Sequence, residues 1–314
     1  MEFLAHYGMF LLKCLTLVIS LLLALAGIMA ISKKPRPKLE IVSLNKQYEE
    51  IRQLMFKKVT GKAEKVKKSK KETKSEKPSL YVLQFHGDIK ATEVEQLRDA
   101  ITAILSIAGK KDEVLLLLES PGGAVNGYGL AASQLLRIRD RNIPLTVCID
   151  KVAASGGYLM ACIANKIVAA PFSIVGSIGV VSQIPNFHRW LKKHNVDVEL
   201  ITAGEYKRTL TILGENTEKG RQKFQEDLEK IHHAFREFVL QNREQIDINQ
   251  VSTGEHWLSL DAFKLKLVDE LKTSDEVIIE KLNHFNVYKI ISHHRQSLAS
   301  KILKPAAKML HPWA

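Results

Sequence analysis

Short apolar runs separated by turn residues predict alternating strands and helices from residue 79 onward. Residues 80–85 and 114–118 read as strands, and the second is apolar at every position, as expected of a strand buried on both faces. Between them, Val94, Leu97, Ile101, Ile104 and Leu105 recur at helical spacing across residues 94–108. Residues 128–139, 158–164 and 218–242 are further helices; residues 144–149, 166–169 and 198–202 are further strands, and 174–181 is an apolar segment bearing glycines. This alternation predicts an α/β domain with a largely parallel sheet wrapped by helices, whose ligands gather at the carboxyl ends of the strands. Two glycine-bearing loops, residues 120–123 and 155–157, fall at such ends.

The chain's two ends follow other rules. Residues 14–31 form an uncharged apolar run, extendable back to residue 10 if Lys13 snorkels. About 20 such residues span a bilayer, so residues 10–31 are expected to be a transmembrane anchor in contact with lipid. A cleaved signal peptide is the rival, but its apolar core is shorter and its leading positive charge is thin here. Residues 40–55 look amphipathic, 57–78 read as a solvated lysine-rich linker, and 297–313 as an amphipathic or partly ordered tail. The expected organisation is an anchor at 1–32, a basic juxtamembrane segment at 33–78, a catalytic domain at 79–275 and a tail at 276–314.

Charge changes this picture little. The net charge is +12, but Lys33, Lys34, Arg36 and Lys38 carry four of those charges, and residues 57–77 carry seven more in ten lysines against three glutamates. The folded part is nearly neutral, so no nucleic-acid footprint is expected. The excess positive charge after the apolar run favours a cytoplasmic domain, although long domains override that rule. Of the three cysteines, Cys148 and Cys162 lie in apolar runs and are expected as buried free thiols; neither a disulfide framework nor a metal site is suggested, and no cofactor is expected.

The candidate chemistry centres on Asp150-Lys151-Val152-Ala153-Ala154-Ser155-Gly156-Gly157-Tyr158. A serine at a tight strand-to-helix turn presents an exposed hydroxyl beside free backbone N–H groups, which suits a nucleophile; it equally suits a plain helix cap. Gly122-Gly123 would let backbone N–H groups approach a substrate, and with the Gly156 N–H they would bind an oxyanion. A serine nucleophile needs a base. Among the histidines only His86 competes, and no acidic residue is placed to orient it. Lys207, in Thr202-Ala203-Gly204-Glu205-Tyr206-Lys207, stands out among the lysines, although a surface role is the ordinary fate of such a residue.

Ser120-Pro121-Gly122-Gly123, Ala153-Ala154-Ser155-Gly156-Gly157-Tyr158, Gly176-Ser177-Ile178-Gly179-Val180 and Gly204-Glu205-Tyr206-Lys207 resemble, in that order, the motifs of the signal peptide peptidase A family. The likeness covers about residues 80 to 275. It is nearest to a branch with an N-terminal anchor, a lysine-rich linker and Gly214-Glu215-Asn216-Thr217-Glu218 after the lysine. The resemblance implies a ClpP/crotonase-like ββα spiral domain, preceded here by one transmembrane helix, in the bacterial inner membrane. Ser155 would be the nucleophile, Lys207 the general base and Ser177 the residue orienting the lysine; Gly122 or Gly123, with Gly156, would form the oxyanion hole. Arg208 and Glu205 depart from the commonest pattern and would act on the lysine in opposite senses. The chain has no internal repeat, and single-copy forms imply a homo-oligomer whose dyad is completed between subunits, so Ser155 and Lys207 are expected far apart in one copy. The expected activity is a membrane-anchored serine endopeptidase acting on extended apolar, unfolded or membrane-derived peptides and proteins. An acyl-CoA enzyme of the same fold and a non-catalytic membrane scaffold are the alternatives.

Overall fold

The computed structural model describes the backbone of residues 2–32, 39–61 and 77–292, with the side chains of α1 described for residues 6–21. Helix α1 spans Glu2–Ser32 and stands in one compact unit, while Leu39–His294 forms the other. Among the described residues no helix is long and apolar enough to cross a membrane. The expected anchor continues past residue 21, and that part of its side chains lies outside the described residues. The lysine-rich stretch 62–76 and the tail 297–313 also lie outside them.

In the larger unit, β1 (Leu39–Ser43) leads into α2 (Leu44–Thr60), which stops at Gly61 in the left-handed region, φ 67°. Next come β2 (Ser79–His86), α3 (Val94–Leu105), β3 (Glu113–Glu119), α4 (Val125–Arg139), β4 (Leu145–Ile149), β5 (Val152–Ala154), α5 (Gly156–Ala161), β6 (Lys166–Ala169) and β7 (Ile174–Gly176). The chain continues with α6 (His188–Lys193), α7 (Glu218–Asn242), α8 (Ile248–Val251), β8 (His256–Leu258), α9 (Ser259–Lys264), β9 (Glu270–Leu271), α10 (Ser274–Leu282) and β10 (Asn286–Ser292). Seven strands form one sheet in the order β1-β10-β2-β3-β4-β6-β9, parallel throughout except where β1 meets β10. A small second sheet, β5-β7-β8, stands beside it. The fold is mixed α/β.

The period-two alternation of the strands divides the core. Tyr81, Leu83 and Phe85 join one apolar cluster with residues of α3, α4 and α5. Leu80 and Val82 join another with Leu44 of α2 and Val277 and Ile278 of α10. Residues of opposite parity on a strand point to opposite faces, and covering both faces is why β3 is apolar almost throughout. The sheet extends beyond the 79–275 span, because β1 and β10 pair from Leu39↔Ser292 to Ser43↔Tyr288.

One element differs from expectation. Residues 198–202 form no strand, and the chain from 195 to 217 is irregular, so Lys207 sits in a loop and not at a strand end. The apolar residues that suggested a strand are exposed: Leu200 lies half out, and Ile201 is 89% exposed. Their periodicity had no core to answer to.

Candidate active site

Ser155 lies between β5 and α5 with φ 52° and ψ −120°, a conformation that strains a residue bearing a Cβ. Two bonds hold it there. Its N–H donates to the Gly176 carbonyl at 2.8 Å, and its carbonyl accepts from the Leu159 N–H at 2.9 Å. The side chain makes no capping bond to α5, so the hydroxyl is not used as a helix cap.

The loop before α4 is laid against this turn. Ser120 bridges Ala153 of β5, donating its N–H to Val152 O and accepting from Ala154 N–H. Gly122 has φ +91°, and a Cβ there would come within 2.7 Å of Ser155 Cβ and 2.8 Å of Gly156 N. Only glycine fits that contact and that backbone. A Cβ on Gly156 would lie 2.4 Å from the ring of Tyr128, so α5 starts flush against α4. The Gly122 N–H is spent on Ser120 Oγ at 3.1 Å. The N–H groups of Gly123 and of Gly156, the first residue of α5, meet no acceptor among the described residues.

Ser177 also has positive φ, 52°, and donates its N–H to Glu255 O at 2.6 Å. Because the neighbouring Gly176 carbonyl holds the Ser155 N–H, the Ser155 and Ser177 segments are tied backbone to backbone. Lys207 is not part of this cluster. Its side chain is exposed, and no hydrogen bond joins it to Ser155 or Ser177. The Lys207 turn is held elsewhere: Glu205 pairs with Lys219 of α7 at 2.5 Å, and the Tyr206 ring lies under Lys219 and Lys223 at 5.9 and 5.7 Å. Glu205 is therefore engaged away from Lys207, and the Lys219 ammonium holds its carboxyl below the usual carboxylate range. Residues 177–217 form an arm that is irregular apart from α6, and Asn186 ties it to itself by donating to the Thr211 and Gly214 carbonyls.

His86 is occupied with Gln84 and lies 3.7 Å from Glu119, with no bond to Ser155. Asp150, the acid nearest the turn in sequence, accepts from Ser274 N–H and Oγ–H at the start of α10. The residue the sequence reading missed is Tyr128, whose hydroxyl enters the bonding around Ser120. A tyrosine on an otherwise apolar helix face, needing a polar partner, was the available signal.

Residues 137–288 match the model of Peptidase family S49, and residues 2–135 match that of the Peptidase family S49 N-terminal region. A "Probable protease SohB" from Haemophilus influenzae is 48% identical over 330 residues, covering 97% of this chain and 93% of that protein. The chain belongs to peptidase family S49. Another relative, the "Probable protease SohB" of Buchnera aphidicola subsp. Schlechtendalia chinensis, is 47% identical over 305 residues, 90% of this chain and all of that one. A solved membrane-bound stomatin-specific protease in complex with a substrate peptide aligns with TM-score 0.44 and 15% identity over 74% of this chain and 99% of that one. Family membership makes the chain a protease and favours that reading over an acyl-CoA enzyme or a scaffold. The seam between the two S49 matches falls within the last turns of α4, so the glycine loop lies in one matched region and Ser155 in the other.

Proposed function

We propose that this S49 protease is a membrane-anchored serine endopeptidase in which Ser155 is the nucleophile and Lys207 the general base. The observation that carries the reading is Ser155 itself: a strained residue whose hydroxyl does not cap its helix, beside two N–H groups that meet no acceptor among the described residues. Strain of this kind is kept where the surroundings over-determine it, typically at reactive centres. Ser155 Oγ attacks the scissile carbonyl while the Lys207 amine takes its proton. The N–H groups of Gly123 and Gly156 receive the developing oxyanion, each such donor being worth about 10²- to 10³-fold in kcat. The lysine then protonates the leaving amine, and water, activated by the same amine, hydrolyses the acyl-enzyme. Ser177 orients the lysine. Gly122, its N–H already engaged, serves by fitting against Ser155.

Completion of the dyad between copies of the chain is consistent with the exposed Lys207 and with the apolar side chains of its arm. Val181 is 92% exposed, and Trp190, Ile201, Ile212 and Leu213 are exposed as well. A lysine works as a base only in a dry setting, and a second copy packed on that arm would provide one. The substrates are extended apolar peptides or unfolded and membrane-derived proteins, and the domain is of the ClpP/crotonase-like kind. Anchoring in the bacterial inner membrane by α1 is supported by the apolar run 14–31 and by Phe10, Leu11, Leu12, Leu15 and Leu17, all exposed along the helix. Hydrolysis of a fluorogenic apolar peptide tests the chemistry. Ser155→Ala and Lys207→Ala are each expected to lose about 10⁴-fold or more in kcat; activity retained in either refutes the dyad.

A further inference from the structure

Behind the glycine loop, four polar groups are joined in one line. Tyr128 Oη donates to the Asp88 carbonyl at 2.9 Å and lies 2.6 Å from Ser120 Oγ, which in turn accepts the Gly122 N–H at 3.1 Å. Each proton has one possible place. A carbonyl only accepts, so the single tyrosine proton goes to Asp88 O; the serine proton must then go to the tyrosine oxygen, leaving the serine oxygen to accept from Gly122. Burial raises the Tyr128 phenol above its ordinary range, so it keeps that proton through neutral pH. Ser120 and Tyr128 have no exposed surface, so the bond between their hydroxyls is shielded from solvent. Gly87 closes the space, since a Cβ there would lie 2.2 Å from Ser120 Oγ and 2.3 Å from Tyr128 Oη.

We infer that Ser120 and Tyr128 are positioning residues: their hydroxyl chain holds the Gly122 N–H away from the substrate and so sets the Gly122-Gly123 peptide as the oxyanion donor. The inference rests on the proposed roles of Ser155, Gly123 and Gly156. The chain runs head to tail, so each bond polarises the next, and loss of one hydroxyl loosens all of it. Among the described residues this is the one bond of the Gly122 N–H; it fixes the Pro121-Gly122 peptide plane, from which the next peptide and its Gly123 N–H follow, and the φ of +91° lies where a glycine is free to turn. Without the chain the loop samples other orientations, and a displacement of about 1 Å at such a donor costs on the order of a hundredfold in rate.

The test is steady-state hydrolysis of a fluorogenic apolar peptide by the full-length protein and its Tyr128→Phe, Ser120→Ala, double and Ser155→Ala variants. Tyr128→Phe keeps the ring against Gly156 and removes only the hydroxyl. It is expected to lower kcat about ten- to a hundredfold while KM stays within about twofold, and the double variant is expected to be no slower than Ser120→Ala alone. A role in folding alone would instead lower Tm and leave the kcat of the folded fraction intact. Wild-type kcat in Tyr128→Phe beside an inactive Ser155→Ala overturns the inference and leaves the nucleophile standing, as would single losses that multiply in the double variant. An active Ser155→Ala overturns the underlying reading and this inference with it. If Ser120→Ala fails to fold, Gly87→Ala replaces it, driving a methyl into the chain, with the same loss of kcat expected and an unchanged kcat counting against.

Discussion

Replacing Arg243 by methionine is expected to destabilise the larger unit by about 3 kcal/mol. Arg243 ends α7 and is only 2% exposed. Its guanidinium grips both carboxylate oxygens of Asp269, at 2.8 and 2.7 Å, and the Lys266 carbonyl at 2.8 Å. Asp269 Oδ2 also accepts the Ile167 N–H at 2.7 Å, so this ion pair ties the end of α7 to the edge of the sheet. Methionine keeps most of the side-chain length and removes the charge. Breaking one side of a buried pair costs about 3–5 kcal/mol, mainly because the remaining charge is left uncompensated. The lower end applies because the Asp269 side chain is 28% exposed and keeps the Ile167 bond, so water and one donor remain to it. For a unit of this size, that corresponds to a fall in Tm of about 6–12 °C. Urea unfolding of the full-length protein, followed by tryptophan fluorescence, measures it. Adding Asp269→Asn to Arg243→Met is expected to restore part of the loss, because the orphaned charge disappears. A loss below about 1 kcal/mol, or a double variant no better than the single, refutes the argument.

Two further outcomes follow from the electrostatics. Burial raises the Cys148 thiol from 9.0 to about 12 and Cys162 further still, so neither should be alkylated by iodoacetamide at pH 8 in the folded protein and both should react in urea; native labelling of either contradicts the packing. Bonds from Lys166 and Lys272 hold the Glu270 carboxyl below its ordinary 4.5. The folded chain therefore binds that proton more weakly than the unfolded chain. Its contribution is complete above pH 4.5 and is lost as pH falls through the lowered folded value. Glu270→Gln should flatten the acid limb of the stability curve, and an unchanged limb refutes this.

How far the sequence discloses this molecule depends on whether a pattern answers to the core. Helix α3 shows its period because Leu97, Ala100, Ile101 and Ile104 all face the core, and strand β3 shows as an unbroken apolar run because both faces of the sheet are covered. Strand β5 is three residues long and lies just before the Ser155 turn, too short for any period to register. β1 pairs with β10 across more than 240 residues, which no local pattern reveals. Residues 198–202 show the reverse case, apolar alternation without a strand, on an arm whose apolar side chains face outward. The serine turn and the glycines packed on it were visible as motifs; the Lys207 turn was visible too, but it lies outside the cluster around Ser155. The strain at Ser155 and the Asp88–Tyr128–Ser120–Gly122 chain were not visible, since both arise from contacts between distant segments.

The most direct test of the proposed shared dyad is to co-express the Ser155→Ala and Lys207→Ala chains and assay the assembled protein on an apolar peptide. If each site takes its serine from one copy and its lysine from the next, each variant alone is inactive. Random co-assembly should then restore about a quarter of wild-type activity, since one site in four unites both native residues. Co-assembled protein with no activity would contradict a dyad completed between copies, and activity in either single variant would contradict the dyad itself.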